Sequence, residues 1–266
     1  MNIKMIALDL DRTLLREDKT ISNYTLKILN ECRSRGIVVA IATARPRRAA
    51  KLFSELICCN DVVCLNGAMV TVNEKIIAAN KIDGKTAHNL ISKIIEKFPD
   101  SKVSAEVNDY IHVNFDLPSD NVIRINFKDV FKNTVETDFV GSLGDVDKII
   151  FGVENADEIN EIKSMLPEGL YSSIANGYLL QIMSTKATKL NGVKALAQHY
   201  NIGINEVAAF GDDYDDIVMI KECGYGVAVA NAIDDVIKAA KYITESSDND
   251  GVAKWIDQNI LKDNFK

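Results

Sequence analysis

The stretch Ile3-Lys4-Met5-Ile6-Ala7-Leu8-Asp9-Leu10-Asp11-Arg12-Thr13-Leu14-Leu15 decides the fold. An apolar run leads directly into two aspartates one residue apart. The run reads as a buried strand that ends where charge begins. Apolar residues on both of its faces suit a parallel strand covered by helices on either side. In open parallel sheets the ligand crevice lies beyond the carboxyl ends of the strands. Asp9 and Asp11 are therefore expected in the crevice, with both side chains on one side of the chain. Carboxylates that close repel each other unless a cation or a shared proton intervenes.

Working outward, Ser22 is expected to cap a helix over residues 23 to 35, with Leu26, Leu29 and Cys32 on one stripe and Gly36 as its stop. Ile37 to Ala42 forms a second buried strand. It ends at Thr43-Ala44-Arg45, and Pro46 suits the first turn of a helix running to about Ile57. Val62 to Leu65 is a third strand. A hairpin over 69 to 72 and 76 to 80 follows, turning at Asn73-Glu74. Apolar strands alternating with helices give a parallel α/β layout.

The style changes near Ile82. Residues 84 to 98 read as an amphipathic helix ended by Pro99. Residues 102 to 115 hold alternating strand material, and 117 to 147 are polar and irregular. A strand at 149 to 153, a helix at 156 to 166 and a strand at 178 to 182 complete a mixed α+β segment. From residue 187 the parallel style returns. It brings a helix over 188 to 200, a strand at 207 to 210 running into Gly211-Asp212-Asp213-Tyr214-Asp215-Asp216, a strand at 225 to 229, and a helix from Asn231-Ala232 to about 240. The last helix carries Trp255.

Composition narrows the function classes. A 266-residue chain with 47% hydrophobic and 26% charged residues has a full core. A formal net charge of -7 argues against general nucleic-acid binding and against attachment to anionic membranes. No apolar run reaches the length of a membrane span, and Asp9 and Asp11 interrupt any signal-peptide core. The cysteines at 32, 58, 59, 64 and 223 are odd in number and lack metal-ligand spacing. They read as reduced thiols of a cytoplasmic protein. His88, His112 and His199 are scattered and suggest no metal site or triad.

Several features fall where strands end: Asp9 with Asp11, Thr43, Lys189 at a helix start, and Gly211-Asp212 with Asp216. Singly, each has an ordinary explanation. Thr43 could be a helix N-cap, Lys189 a solvated helix lysine, and the acidic run a favourable helix start. Together they supply carboxylates for a hard cation, and a hydroxyl and an ammonium for an anion.

This ordered set resembles the haloacid dehalogenase-like superfamily of phosphotransferases, and more closely its Cof-type class IIB phosphatases, over essentially the whole chain. Asp9-Leu10-Asp11-Arg12-Thr13-Leu14-Leu15 matches the first motif, Thr43 the second, Lys189 the third and Gly211 to Asp216 the fourth. Asn66-Gly67-Ala68, Asn231-Ala232 and Asp250-Gly251-Val252-Ala253 also fit the subfamily. The resemblance implies an α/β fold with a Rossmann-like parallel-sheet core, residues 1–82 and 184–266, and an inserted α+β cap, residues 83–183. It implies Asp9 as nucleophile and Asp11 as general acid and base. Mg²⁺ would be held by Asp9, Asp11 through its carbonyl, Asp212, and Asp216 through water. Leu10, Thr43, Ala44, Lys189 and Asp215 would surround the phosphate, Arg45 would contact substrate, and cap residues near 112–116 and 172–178 would select it. The expected substrate is a small phosphorylated metabolite. A phosphomutase, a specialised sugar-phosphate phosphatase, or a non-catalytic phosphometabolite-binding protein are the alternatives, and oligomeric state is not readable.

Three positions depart from the family pattern. Arg12 and Ala44 stand where Gly is common, and Asp215 where Asn is common. An ionised Asp215 would repel a phosphate, so Arg12 and Asp215 are expected to compensate each other.

Overall fold

The computed structural model describes residues 1–116, 131–175 and 177–262. It divides into two compact units. One comprises Met1–Ala44, Ala50–Ala79 and Thr188–Lys266; the other comprises Arg45–Ala49 and Asn80–Ala187. The fold is α/β, a Rossmann-like core with an inserted α+β unit.

The first unit is built on an eight-stranded sheet. The strands are β1 (Met5–Leu8), β2 (Val38–Ala42), β3 (Asp61–Cys64), β4 (Met69–Val72) and β5 (Lys75–Ala79). From the second half of the chain come β12 (Val207–Gly211), β13 (Tyr225–Ala228) and β14 (Tyr242–Ile243). Their order is β14-β13-β12-β1-β2-β3-β4-β5. The strands from β14 to β3 run parallel, and the β4–β5 hairpin closes the edge antiparallel. β1 is central, and each of its residues is fully buried. The register sets Leu8 beside Ile41 and Phe210, so the three strands finish level. The residues after them gather at one end, the ligand end of a parallel sheet.

Burial on both faces explains the unbroken apolar runs. On one face Met5, Ala7, Ala40, Ala42, Val63 and Ala209 pack with Leu190, Val193 and Leu196 of α5 (Lys189–His199). On the other, Trp255 of α8 (Gly251–Ile256) meets Phe210 edge to face at 5.4 Å. The helix α1 (Asn23–Ser34) starts where expected, because Ser22 Oγ accepts the Thr25 amide. The helix expected from Asn231 is shorter. It covers only α7 (Asp234–Ala239), because Asn231 is used to tie loops together.

The second unit has a six-stranded sheet in the order β10-β11-β9-β6-β7-β8, antiparallel except between the last two. Its strands are β6 (Val103–Val107), β7 (Tyr110–Val113), β8 (Thr134–Glu136), β9 (Lys148–Gly152), β10 (Leu170–Ala175) and β11 (Leu179–Ser184). One face carries Val103, Ala105, Ile149, Phe151, Leu180 and Ile182 against α3 (Gly84–Lys97) and α4 (Ala156–Ser164). β8 lies in the stretch expected to be irregular, part of which (117–130) falls outside the described residues, and β10 was not anticipated. Among the described residues no helix is long and apolar enough to cross a membrane.

Candidate active site

Asp9 follows β1 directly and is held by its amide donating to the Phe210 carbonyl at 3.1 Å. Its carboxylate is buried, and Lys189 Nζ donates to Oδ1 at 2.7 Å. Lys189 is the first residue of α5, whose N-cap Thr188 accepts the Asn191 amide. The Thr188 backbone presses against Gly67, where an added Cβ would lie 2.2 Å from the Thr188 carbonyl oxygen. Gly67 has φ +94°, so glycine is required there on both counts. The same Lys189 ammonium donates to Asp216 Oδ1, also at 2.7 Å.

Asp216 is fully buried. Its Oδ2 accepts the amides of Asp212 at 3.0 Å and Asp213 at 3.2 Å. The turn after β12 thus folds back over its own carboxylate. Asp212 lies beside it, with Thr13 Oγ1 donating to Oδ1 at 2.8 Å. One ligand oxygen each from Asp9, Asp212 and Asp216 lie within 4.8 Å of one another. Two of these buried carboxylates, Asp9 and Asp216, share the Lys189 ammonium, and Asp212 has only the exposed Arg12 guanidinium at 3.9 Å, so the formal charge of the group stays negative.

The electrostatics reflect this. Burial pushes Asp9 well above the usual carboxylate range, aided by repulsion from Asp216 and Asp212 and opposed by Lys189. Burial also pushes Asp212 up to about 6, opposed by the Thr13 hydroxyl. Burial would lower Lys189, but Asp216 and Asp9 outweigh it and hold the ammonium strongly protonated. A hard divalent cation seeks such an all-oxygen, net-negative donor set. The residues present therefore fit Mg²⁺.

Asp11 occupies a different environment from Asp9. It lies past the end of β1, its side chain is 38% exposed, and Lys19 Nζ donates to its Oδ1 at 2.9 Å. The two aspartates of the opening stretch thus have separate lysine partners. Thr43, at the end of β2, is buried, and its backbone accepts the Asn66 amide at 3.0 Å. Leu10 is buried and its carbonyl accepts the Leu15 amide, while Ala44 is half-buried. Arg45 falls in the short segment grouped with the inserted unit. In that unit His112 Nδ1 is buried without a hydrogen-bond partner, Tyr178 is exposed, and residue 176 lies outside the described residues.

The expected pairing of Arg12 with Asp215 is not formed. Asp215 Oδ2 accepts from Asn66 Nδ2 at 2.6 Å. Arg12 turns to other partners: its Nε lies 3.9 Å from Asp212 Oδ2, and its Nη2 donates to the Asn231 carbonyl at 3.2 Å. Each group found a nearer partner brought in from a distant loop. Three residues emerge that the sequence reading left without roles. Thr13 steadies Asp212, Asn66 holds Asp215, and Asn231 donates to the Arg12 carbonyl while accepting the Ser247 amide. All three stand inside stretches that fit the family pattern, 9–15, 66–68 and 231–232.

A family model described as haloacid dehalogenase-like hydrolase matches residues 6–256. The chain belongs to this family. It is a hydrolase, a Cof-type phosphatase of the haloacid dehalogenase-like group. It is 30% identical over 270 residues to the 5-amino-6-(5-phospho-D-ribitylamino)uracil phosphatase YcsE of Bacillus subtilis (strain 168), covering 98% of this chain and 97% of that one. To the phosphatase YitU of the same organism, named for the same substrate, it is 27% identical over 263 residues, covering 95% and 96%. Among solved structures, a haloacid dehalogenase-like hydrolase from Bacteroides thetaiotaomicron superposes with a TM-score of 0.82 at 24% identity, covering 96% of this chain and 99% of that one.

Proposed function

We propose that this haloacid dehalogenase-like phosphatase hydrolyses small phosphorylated metabolites with the help of Mg²⁺, through a phosphoryl group carried on Asp9. One observation carries the reading. Lys189 bridges Asp9 and Asp216 at 2.7 Å each, beside Asp212, in a buried pocket at the strand ends. Phosphoryl transfer needs positioning and charge neutralisation more than elaborate bond chemistry, and this pocket supplies both.

In this reading Asp9 Oδ attacks phosphorus as the ester oxygen leaves in line. Asp11 gives that oxygen its proton and later takes one from the hydrolytic water. Its partial exposure suits a group that must exchange protons with solvent. Thr43, Lys189 and the backbone at Leu10 and Ala44 bind the phosphoryl oxygens, Asp215 lies at the phosphate's edge, and Arg45 contacts the substrate. Asp9, the Asp11 carbonyl, Asp212 and Asp216 would hold Mg²⁺, which when bound offsets the charge gathered between carboxylate and phosphate. The five cysteines are free, four of them buried, which supports a cytoplasmic setting. The names of the two B. subtilis relatives make 5-amino-6-(5-phospho-D-ribitylamino)uracil the first substrate to try.

The test is steady-state hydrolysis of p-nitrophenyl phosphate, that compound and a panel of sugar phosphates, with and without Mg²⁺. Phosphate release should require Mg²⁺ and fall at least about 10³-fold in Asp9→Asn. Full activity in Asp9→Asn would refute the nucleophile. Tight binding of a phosphorylated compound with no turnover would replace the enzyme by a binding protein.

A further inference from the structure

Arg12 is the residue of the opening stretch that the phosphatase mechanism leaves unused. It has φ +60°, a backbone region that disfavours any residue with a Cβ. Asn231 holds it there, donating to the Arg12 carbonyl at 2.7 Å while accepting the Ser247 amide at 2.8 Å. This clasp fixes the root of the side chain beside the carboxylate pocket. The side chain itself is 56% exposed, and its guanidinium ends 3.9 Å from Asp212 Oδ2.

The two oxygens of Asp212 have different duties. Oδ1 is taken by the Thr13 hydroxyl, whereas Oδ2 faces the guanidinium. A cation drawn to Asp212 therefore meets the positive charge of Arg12 close by, nearest to Oδ2. Lys189 is committed elsewhere, to Asp9 and Asp216. We propose that Arg12 is a tethered competitor for the divalent cation, occupying Asp212 in the cation-free protein and weakening cation affinity. A cation entering among Asp9, Asp212 and Asp216 must displace the guanidinium from Oδ2 or bear its repulsion. Displacement breaks the Nη2 bond to the Asn231 carbonyl, and the exposed head then swings into water while the root stays in place. The protein thereby keeps Asp212 partly neutralised when no cation is present, at the expense of affinity. This inference rests on the proposed cation site, but its test does not require turnover.

The experiment measures free Mn²⁺ by electron paramagnetic resonance as the full chain is titrated, with Mg²⁺ as competitor and no substrate. Arg12→Gly relieves the backbone, Arg12→Met removes charge but keeps length, and Arg12→Lys keeps charge. Arg12→Gly and Arg12→Met should each bind Mn²⁺ about two- to fivefold tighter, the range expected from loss of an exposed ion pair. Arg12→Lys should stay close to wild type. The gain should shrink in high salt, because an exposed charge is screened. The rise in melting temperature on adding saturating Mg²⁺ should also be larger in Arg12→Met than in wild type. Unchanged or weaker binding in both neutral variants overturns the proposal. So does tightening in Arg12→Gly alone, which would trace the effect to the backbone. If wild type binds neither ion, the cation site itself fails, a result separate from the Arg12 outcomes.

Discussion

Lys189 Nζ donates to Asp9 Oδ1 at 2.7 Å with both side chains buried, and the same ammonium reaches Asp216. The ammonium is therefore a structural charge as well as the proposed phosphate ligand. Lys189→Met should leave two buried carboxylates facing each other without a cation. Breaking a buried pair in this way costs about 3–5 kcal/mol. At roughly 2–4 °C per kcal/mol for a chain of this size, the melting temperature should drop by about 6–20 °C. Saturating Mg²⁺ should restore part of it by supplying the missing positive charge, while phosphatase activity stays lost. A thermal melt with and without Mg²⁺ checks this. An unchanged melting temperature would mean the bridge adds nothing to stability.

The Asn66–Asp215 contact makes a second case. Asn66 is buried in a left-handed conformation (φ 52°, ψ 29°) and offers its Nδ2 to Asp215 Oδ2. Asn66→Asp should set two carboxylates face to face and cost about 1–3 kcal/mol. The double variant Asn66→Asp with Asp215→Asn swaps donor and acceptor and should recover most of that loss, a coupling read from a double-mutant cycle of melting temperatures. Asp215→Asn alone keeps the contact through the Asn oxygen and removes a negative charge. Inhibition by inorganic phosphate should then tighten by about two- to tenfold, from relief of charge repulsion at a partly hydrated site. Unchanged inhibition would place Asp215 outside the reach of the phosphate.

These contacts show which parts of the molecule were legible in its sequence. β1, β2 and β12 could be read because burial on both faces demands unbroken apolar runs, a local property. α1 and α5 could be read because Ser22 marks a helix start and Leu190, Val193 and Leu196 mark a stripe. The partners of Arg12 and Asp215 could not be read in this way. Asp215 is held by a residue 149 positions away, and Arg12 by one 219 positions away. Only the folded sheet brings those loops to one end. The period-two rule that sets Asp9 and Asp11 on one side applies within a strand, and β1 ends at Leu8, before both residues. β10 was missed because its residues are half-exposed and mix Tyr, Ser and Ile without a clean alternation.

Gly211 tests how closely the acidic turn is built. A Cβ there would lie 2.4 Å from both Cβ and Cγ of Asp216. Those atoms belong to a buried side chain already fixed by two amides and Lys189, so they have little room to move. Gly211→Ala should cost about 1–3 kcal/mol through overpacking. It should also push Asp216 away from Asp9 and Asp212. The concentration of Mg²⁺ needed for half-maximal activity should therefore rise, while the helices of the inserted unit keep their circular dichroism. A variant with wild-type Mg²⁺ dependence would show that Asp216 contributes nothing to the cation.

Asp61 gives a pH effect remote from the catalytic chemistry. It opens β3, is buried, and takes its hydrogen bond from the Tyr200 hydroxyl, 3.0 Å from each carboxylate oxygen. Burial raises it above the usual 3.8, and the Tyr200 bond only partly offsets this. The folded state thus holds the Asp61 proton more tightly than the unfolded chain does. Its contribution to stability is most favourable below about pH 4. It declines as pH rises from 3.8 to the raised value, then stays constant as a penalty for burying charge. Asp61→Asn keeps an oxygen for Tyr200 and cannot ionise. Its melting temperature relative to wild type should therefore climb as pH goes from 4 to 8. Melts of both proteins across that range decide the matter. A difference that stays flat with pH, or falls, would show that the Tyr200 bond, not burial, controls this carboxylate.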